Sequence, residues 1–274
     1  VPERDTRRVA DSSGVMSMDA DSQRSVYDSP RMADGYAFDR PPVHPHIIKA
    51  VASRLAHRAP VGRALDVGCG AGASTAALEP VARHAVGLEP VRRMLAHRRT
   101  VAPRASFVVA GAEHLPFQAG AFDLVTAAGS LNYVDLRLFL PELSRVLAPG
   151  GVTAVYDFSA GRRFQGDPAL DRWYARFAER YPPKPGYDLD VSAIEYGPHG
   201  LRLDAYEQFD IAVPMSLYGY VRYVMSETGV ELAIERGVAE WEIRGWCEST
   251  LEGVFGSVTR DVLFEAYVAY VVRG

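Results

Sequence analysis

Three glycines at alternate positions, Gly68, Gly70 and Gly72, follow a short apolar run in Ala64-Leu65-Asp66-Val67-Gly68-Cys69-Gly70-Ala71-Gly72. Glycine tolerates positive φ and lets a ligand come close to the backbone. A helix that starts after such a turn points its N-terminus at that ligand. The spacing is not the G-x-G-x-x-G of a pyrophosphate cradle. Asp66 stands two positions before the first glycine, where a carboxylate repels phosphate and attracts an ammonium. Twenty-three residues after Asp66, Glu89 ends a second apolar run. An acidic side chain at that place accepts hydrogen bonds from the two hydroxyls of a ribose. Together these residues ask for a nucleoside that carries a cation and lacks phosphate.

Such residues converge only if strands and helices alternate around them. Ala64–Val67, Ala85–Leu88, Ser106–Ala110, Phe122–Ala127 and Val152–Phe158 read as apolar strands. Helices are expected over His46–His57, Ala73–Ala82, Val91–Arg99 and Leu136–Leu147. The prolines of Tyr36–His46 argue against a helix interior there. Alternation of this kind predicts a doubly wound, mostly parallel sheet with helices on both faces. The period breaks after Phe158. A strand near Leu203–Ile211 and a final strand over Val262–Val272 bracket a helical stretch at about 215–255. The expected organisation is a polar, mobile tail at 1–25, a ligand-binding core at 26–158, a cap carrying one sheet strand at 159–255, and a terminal strand at 256–274 that completes seven strands.

Three stretches carry a resemblance to a known family. Ala-Leu-Asp-Val-Gly-Cys-Gly-Ala-Gly (64–72), Gly-Ala-Glu-His-Leu-Pro-Phe-Gln-Ala-Gly-Ala-Phe-Asp-Leu-Val (111–125) and Phe-Leu-Pro-Glu-Leu-Ser-Arg-Val-Leu-Ala-Pro-Gly-Gly (139–151) resemble, in order, three motifs of the class I S-adenosylmethionine-dependent methyltransferases. That family has an α/β, Rossmann-like fold. The resemblance implies S-adenosylmethionine as cofactor and S-adenosylhomocysteine as product. It implies that Asp66 holds the methionine ammonium, through water or directly, that Gly68, Cys69 and Gly70 line the cofactor with backbone, and that Glu89 takes the ribose. Pro90 and Met94 would pack near the adenine, Ala112 and Glu113 would sit at its polar edge, and Ala128 and Gly129 would touch the methionine part. Many relatives carry Asp where this chain has Gly111, so either the Gly111–Ala112 backbone serves the adenine amine alone or Glu113 helps.

Upstream, Arg40-Pro41-Pro42-Val43-His44-Pro45 is similar to an Arg-Pro-x-x-x-Pro signature of enzymes like trans-aconitate methyltransferase. Tyr36–Arg40 is then a segment against the cofactor, either a lid or a fixed extended linker. Where those relatives read His-Trp after the fourth strand, this chain has Asn132 and Tyr133.

On the acceptor side the protein must align the acceptor and, for a neutral hydroxyl or amine, remove a proton. Candidates are His44 and His46 before the first helix, Asn132 and Tyr133 after the fourth strand, Asp157 near the end of the fifth, and His199. Each histidine has an alternative as a satisfied turn residue, and Asp157 an alternative as partner of an arginine. Residues 159–200 hold Tyr187 and Tyr196 among prolines and glycines, and Trp173, Tyr174, Phe177, Tyr181, Tyr218, Tyr220, Tyr223, Trp241 and Trp246 either wall an apolar acceptor or form the cap's own core.

Composition bounds the partners. The chain has 274 residues, a net charge of −4 and lysine only at 49 and 184, with no basic stripe to neutralise a phosphate backbone. No nucleic-acid partner is expected, nor a membrane, since no run of about 18 apolar residues occurs. Cys69 and Cys247 lack CxxC partners and no cluster has metal-ligand spacing, so no metal is expected. Residues 1–25 lack the apolar segment of a secretory signal. The expectation is a cytoplasmic monomer or homodimer that methylates O, N or C of a small molecule, with a place in specialised metabolism. The alternative is a protein that binds the cofactor without transferring methyl, as a regulatory partner or rearrangement catalyst.

Overall fold

A computed structural model describes residues 26–55, 59–183 and 189–274. The expected tail at 1–25, the helix end at His57 and the aromatic Tyr187 lie outside the described residues.

The chain opens with α1 (Pro30–Phe38) and α2 (Val43–Arg54). The doubly wound part follows: β1 (Val61–Val67), α3 (Ala73–Leu78), β2 (Ala82–Leu88), α4 (Arg98–Val101), β3 (Ser106–Val108), β4 (Phe122–Ala128), α5 (Leu136–Val146) and β5 (Leu147–Phe158). Then come α6 (Ala169–Arg180), β6 (Leu201–Met215), α7 (Leu217–Met225), α8 (Thr228–Glu235), α9 (Glu240–Phe255) and β7 (Arg260–Arg273). The sheet order is β3-β2-β1-β4-β5-β7-β6. β1 to β5 pair in parallel, whereas β7 runs antiparallel between β5 and β6. This is the expected seven-stranded Rossmann-like arrangement.

Two expectations near the N-terminus are corrected. Tyr36 is in a helix, not in an extended segment. Ser29 caps α1 by accepting from the Met32 N–H, and Pro30 occupies the first turn, where its missing donor is harmless. The next helix begins at Val43, not His46, because Pro45 also falls in a first turn whose N–H groups lack helical partners. The stretch Val91–Arg99 is a 3₁₀ turn over Arg92–His97 leading into α4, not one α-helix.

Two apolar layers sandwich the sheet. One contains Ile47, Ile48 and Val51 of α2 together with α6 to α9; the other contains Phe139, Leu140 and Leu143 of α5. Trp173, Phe177, Tyr181, Tyr220 and Tyr223 are buried in the first layer. Trp173 stacks on Phe177 at 5.3 Å, and its indole N–H donates to Thr250 at 2.8 Å. These aromatics are therefore core. Tyr218 and Trp241 face outward, 64% and 78% exposed.

Candidate functional site

The carboxyl ends of β1, β2, β4 and β5 open into one cavity of about 380 Å³, within the range of small-molecule sites. In open α/β sheets ligands bind at this edge. Gly68, Gly70 and Gly72 have φ of 69°, 54° and 97°. The first must be glycine for space as well, since a Cβ there would come within 2.4 Å of the Ser130 Cβ. The Leu88 carbonyl accepts from both Gly68 and Cys69 N–H, and Ser130 Oγ donates to the Val67 carbonyl at 2.6 Å. The loop is thereby clamped between β2 and the turn after β4.

Glu89 is the carboxylate set in this wall. Oε2 accepts from the Gly70 N–H and Oε1 from the Val91 N–H, both at 2.9 Å. Burial pushes its carboxyl up, and these two donors work against that rise. Each oxygen retains acceptor capacity beyond its backbone bond. Met94 closes the wall beneath Gly70, and Pro90, Ala112, Glu113, Ala128 and Gly129 continue it. The Glu113 carboxylate lies over Gly111, where a Cβ would meet Oε2 at 2.9 Å, and its Oε1 accepts from the Asp135 N–H at 3.3 Å.

Asp66 stands behind the cavity wall, which leaves the water-mediated of its two expected contacts. It is fully buried and absent from the cavity lining. Ser74 and Thr75 hydroxyls donate to Oδ2 at 2.6 and 2.7 Å, and Thr126 donates to Oδ1 at 2.8 Å. The carboxylate ties the start of α3 and β4 together behind the glycine loop, so it does not reach a ligand in the cavity directly. Burial raises its carboxyl, opposed by the three hydroxyls.

The N-terminal segment supplies the opposite wall. Tyr36 and Arg40 line the cavity, as does Tyr27, which the sequence did not single out. Tyr27 meets Tyr36 and Tyr133 edge-on at 5.8 and 6.1 Å. Its hydroxyl is 3.3 Å from that of Tyr133. The Arg40 guanidinium lies 4.2 Å from the Tyr36 ring centre, donates to Glu227 at 2.9 Å and donates to the Ser226 carbonyl at 3.0 Å. Its Nε is buried without a partner among the described residues.

His44 lines the cavity, and its Nδ1 stands 3.0 Å from the Tyr156 hydroxyl. Burial, and next the Arg40 charge, push its imidazole down to about 4, so the ring is neutral near pH 7. Burial holds the Tyr156 phenol well above its ordinary value, so it keeps its proton. The arrangement that partners both groups has the phenol donating and Nδ1 accepting. His44 then presents an N–H donor rather than a basic lone pair. His46 is exposed and off the cavity, and His199 lies on a 3₁₀ turn outside its lining. Two helical positions rotate a side chain by about 200°, so only one of the pair 44 and 46 can face the site.

Asn132, Tyr133, Asp157 and Phe158 complete the lining. Asp157 faces the cavity rather than an arginine. Its recorded hydrogen bond is from the Phe158 N–H to Oδ1 at 2.8 Å, and burial raises its carboxyl against that bond. The core aromatics of α6, α7 and α9 do not line the cavity; its rings are Tyr27, Tyr36, His44, Tyr133 and Phe158.

Comparison with known proteins agrees with this geometry. Residues 65–155 match a family described as a methyltransferase domain. A demethylmenaquinone methyltransferase of Clavibacter sepedonicus is 43% identical over 140 residues, 48% of this chain and 49% of that protein. A chloroplastic tocopherol O-methyltransferase of Arabidopsis thaliana is 36% identical over 121 residues, 41% of this chain and 35% of that protein. The matches thus span about half or less of these curated relatives, 49% and 35% of their lengths. A solved structure from Anaeromyxobacter dehalogenans, assigned to the type II methyltransferases, shares the fold with a TM-score of 0.62 at 23% identity, covering 82% of this chain and 95% of that one.

Proposed function

For a chain that carries a class I S-adenosylmethionine-dependent methyltransferase domain, we propose that the cavity binds S-adenosylmethionine and that the protein methylates a small organic molecule. The observation that carries this reading is the Glu89 carboxylate, fixed by the Gly70 and Val91 N–H groups in the wall of a glycine-lined cavity. Two adjacent ribose hydroxyls match its remaining acceptor sites. The cavity fits the rest of the cofactor too. Gly111, Ala112 and Glu113 would face the adenine, and Met94 and Pro90 would pack beside it. Arg40, in the cavity lining, is the cation that suits the methionine carboxylate. The charge of Arg40 is otherwise matched by Glu227, so the wall offers no cluster of cations for a pyrophosphate.

When bound, the cofactor supplies a methyl group activated by its sulfonium. The chain's own residues align the acceptor against it. The His44 N–H and the Asn132 amide are donors for an acceptor oxygen, and Tyr27, Tyr36, Tyr133 and Phe158 give it an aromatic surface. The relatives are named for demethylmenaquinone and tocopherol, both small organic acceptors, and this supports the same class here. The core aromatics leave the cavity open, which favours transfer over binding alone. In this reading residues 26–158 hold the cofactor and also present Asn132, Tyr133 and Phe158 to the acceptor, and 159–255 is a cap packed against them, in a cytoplasmic monomer or homodimer. The free, buried Cys69 and Cys247 are in keeping with that compartment. Among the described residues, no helix is long and apolar enough to cross a membrane.

The test is incubation with methyl-labelled cofactor and a panel of phenols, amines and carboxylic acids, read as labelled product at more than one turnover. Binding without turnover across the panel supports the non-transferring alternative. In calorimetry, Glu89→Ala weakens S-adenosylhomocysteine by about 1–3 kcal/mol, the cost of the lost charged hydrogen bonds. Asp66→Ala acts instead mainly on stability. It strips three hydroxyls of their acceptor and lowers the unfolding free energy by about 3 kcal/mol. Unchanged affinity in Glu89→Ala would place the ligand elsewhere.

A further inference from the structure

We propose that Tyr27 and Tyr133 form a clasp across the mouth of the cavity, and that the cofactor enters and leaves only when the two phenols part. This rests on the cofactor reading above. The hydroxyls are 3.3 Å apart and the rings meet edge-on at 6.1 Å, although 106 positions separate the two residues in the chain. Both side chains line the cavity. Tyr133 is also 47% exposed, so the contact lies where the cavity meets solvent.

The pair joins the two walls that flank the nucleoside. Tyr27 packs, with Tyr36 and Val91, against a cluster of Ala33, Ala71 and Met94. Met94 lies beneath Gly70, and the Gly70 and Val91 N–H groups are the two donors that hold Glu89. Tyr27 therefore stands on the Glu89 side. Tyr133 comes from the opposite wall. It ends the 3₁₀ turn Leu131–Tyr133, and the Asp135 N–H just beyond it donates to Glu113, whose carboxylate lies over Gly111. A nucleoside between Glu89 and the 111–113 loop lies between the walls that the phenols bridge. The same rings still line the cavity, so the clasp is compatible with the aromatic surface offered to the acceptor.

One half of the clasp is fixed. Val26, beside Tyr27, is buried with Met32 and Leu232, and the Tyr27 ring also meets Tyr36 edge-on at 5.8 Å. α1, which carries Tyr36, is tied to the α7–α8 corner by the Arg31–Glu231 pair. Gly35 of α1 fits so closely there that a Cβ would come within 2.9 Å of the Ser226 Cβ. The other half is free to swing. The Tyr133 ring has solvent on its outer side, and exposed side chains change rotamer within nanoseconds. A hydroxyl contact of 3.3 Å is longer than a strong O–H···O bond, so opening costs little. Opening precedes both entry and exit. A weaker clasp therefore speeds both by a similar factor and leaves the affinity nearly as it was.

The test measures the association and dissociation rate constants of S-adenosylhomocysteine by surface plasmon resonance. It uses the wild-type chain, Tyr27→Phe, Tyr133→Phe and the double variant. The clasp predicts that each single variant raises both constants about threefold and keeps the affinity within about twofold. The double variant is no faster than the singles, because the two hydroxyls make one contact. Tyr133→Ala, at a half-exposed site, removes the ring contact as well and raises both constants about tenfold. That variant decides the matter if a change at Tyr27 prevents folding. Unchanged rates, faster dissociation alone, or additive effects of the two hydroxyls overturn the proposal. A wild-type chain that binds no S-adenosylhomocysteine overturns the cofactor reading, and the clasp falls with it.

Discussion

At the scale of single residues the site is defined by what each polar group is already bound to. Glu89 and Asp66 are both buried carboxylates, yet backbone donors hold Glu89 in the cavity wall while three hydroxyls draw Asp66 behind it. His44 illustrates the energetic consequence of such placement. Its ordinary value is 6.5, and burial together with Arg40 pushes it down to about 4. The unfolded chain therefore takes up this proton at a higher pH than the folded one. The sign follows: nothing is lost above about pH 6.5, and stability falls as pH drops from there toward 4. Between pH 7 and pH 5 the loss amounts to about 2 kcal/mol. Burial raises Asp66, Glu89 and Asp157, which act in the opposite direction. These groups are common to wild type and His44→Gln, so the difference between the two isolates the histidine. Urea unfolding at the two pH values should show wild type losing about 2 kcal/mol more than the variant; parallel losses would contradict the neutral, buried ring.

At the scale of elements, the decisive contact is the seam between the N-terminal segment and α7–α8. Arg40 pairs with Glu227, Arg31 with Glu231 and Arg222 with Asp39. The side chains of Arg40 and Glu227 are only 19% and 20% exposed, so removing one charge leaves the other poorly hydrated. Glu227→Gln should cost about 2 kcal/mol of unfolding free energy. On the same segment the Arg93–Asp28 pair is 48% and 61% exposed, and Asp28→Asn should change stability by less than about 0.5 kcal/mol. Equal effects from the two would mean that the seam does not anchor α1. This anchoring matters because α1 and the turn after it carry Tyr36 and Arg40 to the cavity. Of the two expectations for this segment, the extended linker gives way to a packed helix whose cap and proline lie just upstream, at Ser29 and Pro30.

At the scale of the whole molecule, the cavity is assembled from β2, β1, β4 and β5 and from the N-terminal wall, so a ligand there cross-braces most of the fold. S-adenosylhomocysteine at one hundred times its dissociation constant should add about 2.7 kcal/mol to stability. That corresponds to a melting temperature raised by roughly 5–10 °C for a chain of this size. An unchanged melting temperature at saturation would argue against binding to the native state. The sheet and the glycine loop were legible in advance because their signals are local. Apolar runs stop at glycines, acidic residues close strands, and neighbouring helices follow within a few residues. Of the residues expected at the cofactor, all but Asp66 line the cavity. Asp66 is drawn behind the wall because one of its three donors, Thr126, comes from a strand sixty residues away. The same holds for Tyr27, which reaches the site only through contacts with Tyr36 and Tyr133. His46 fails for a reason of helix phase, set by where α2 starts. The aromatic residues of 159–255 had two open readings, wall or core, and composition does not choose between them. The tertiary structure sends Trp173, Phe177 and Tyr220 into the sheet-facing layer and leaves the acceptor side to Asn132, Tyr133, Asp157 and Phe158. The chain's local pattern thus determined the fold and the glycine-lined end of the cavity, proposed here as the donor end. Long-range packing, which no short window of sequence contains, decided the acceptor end.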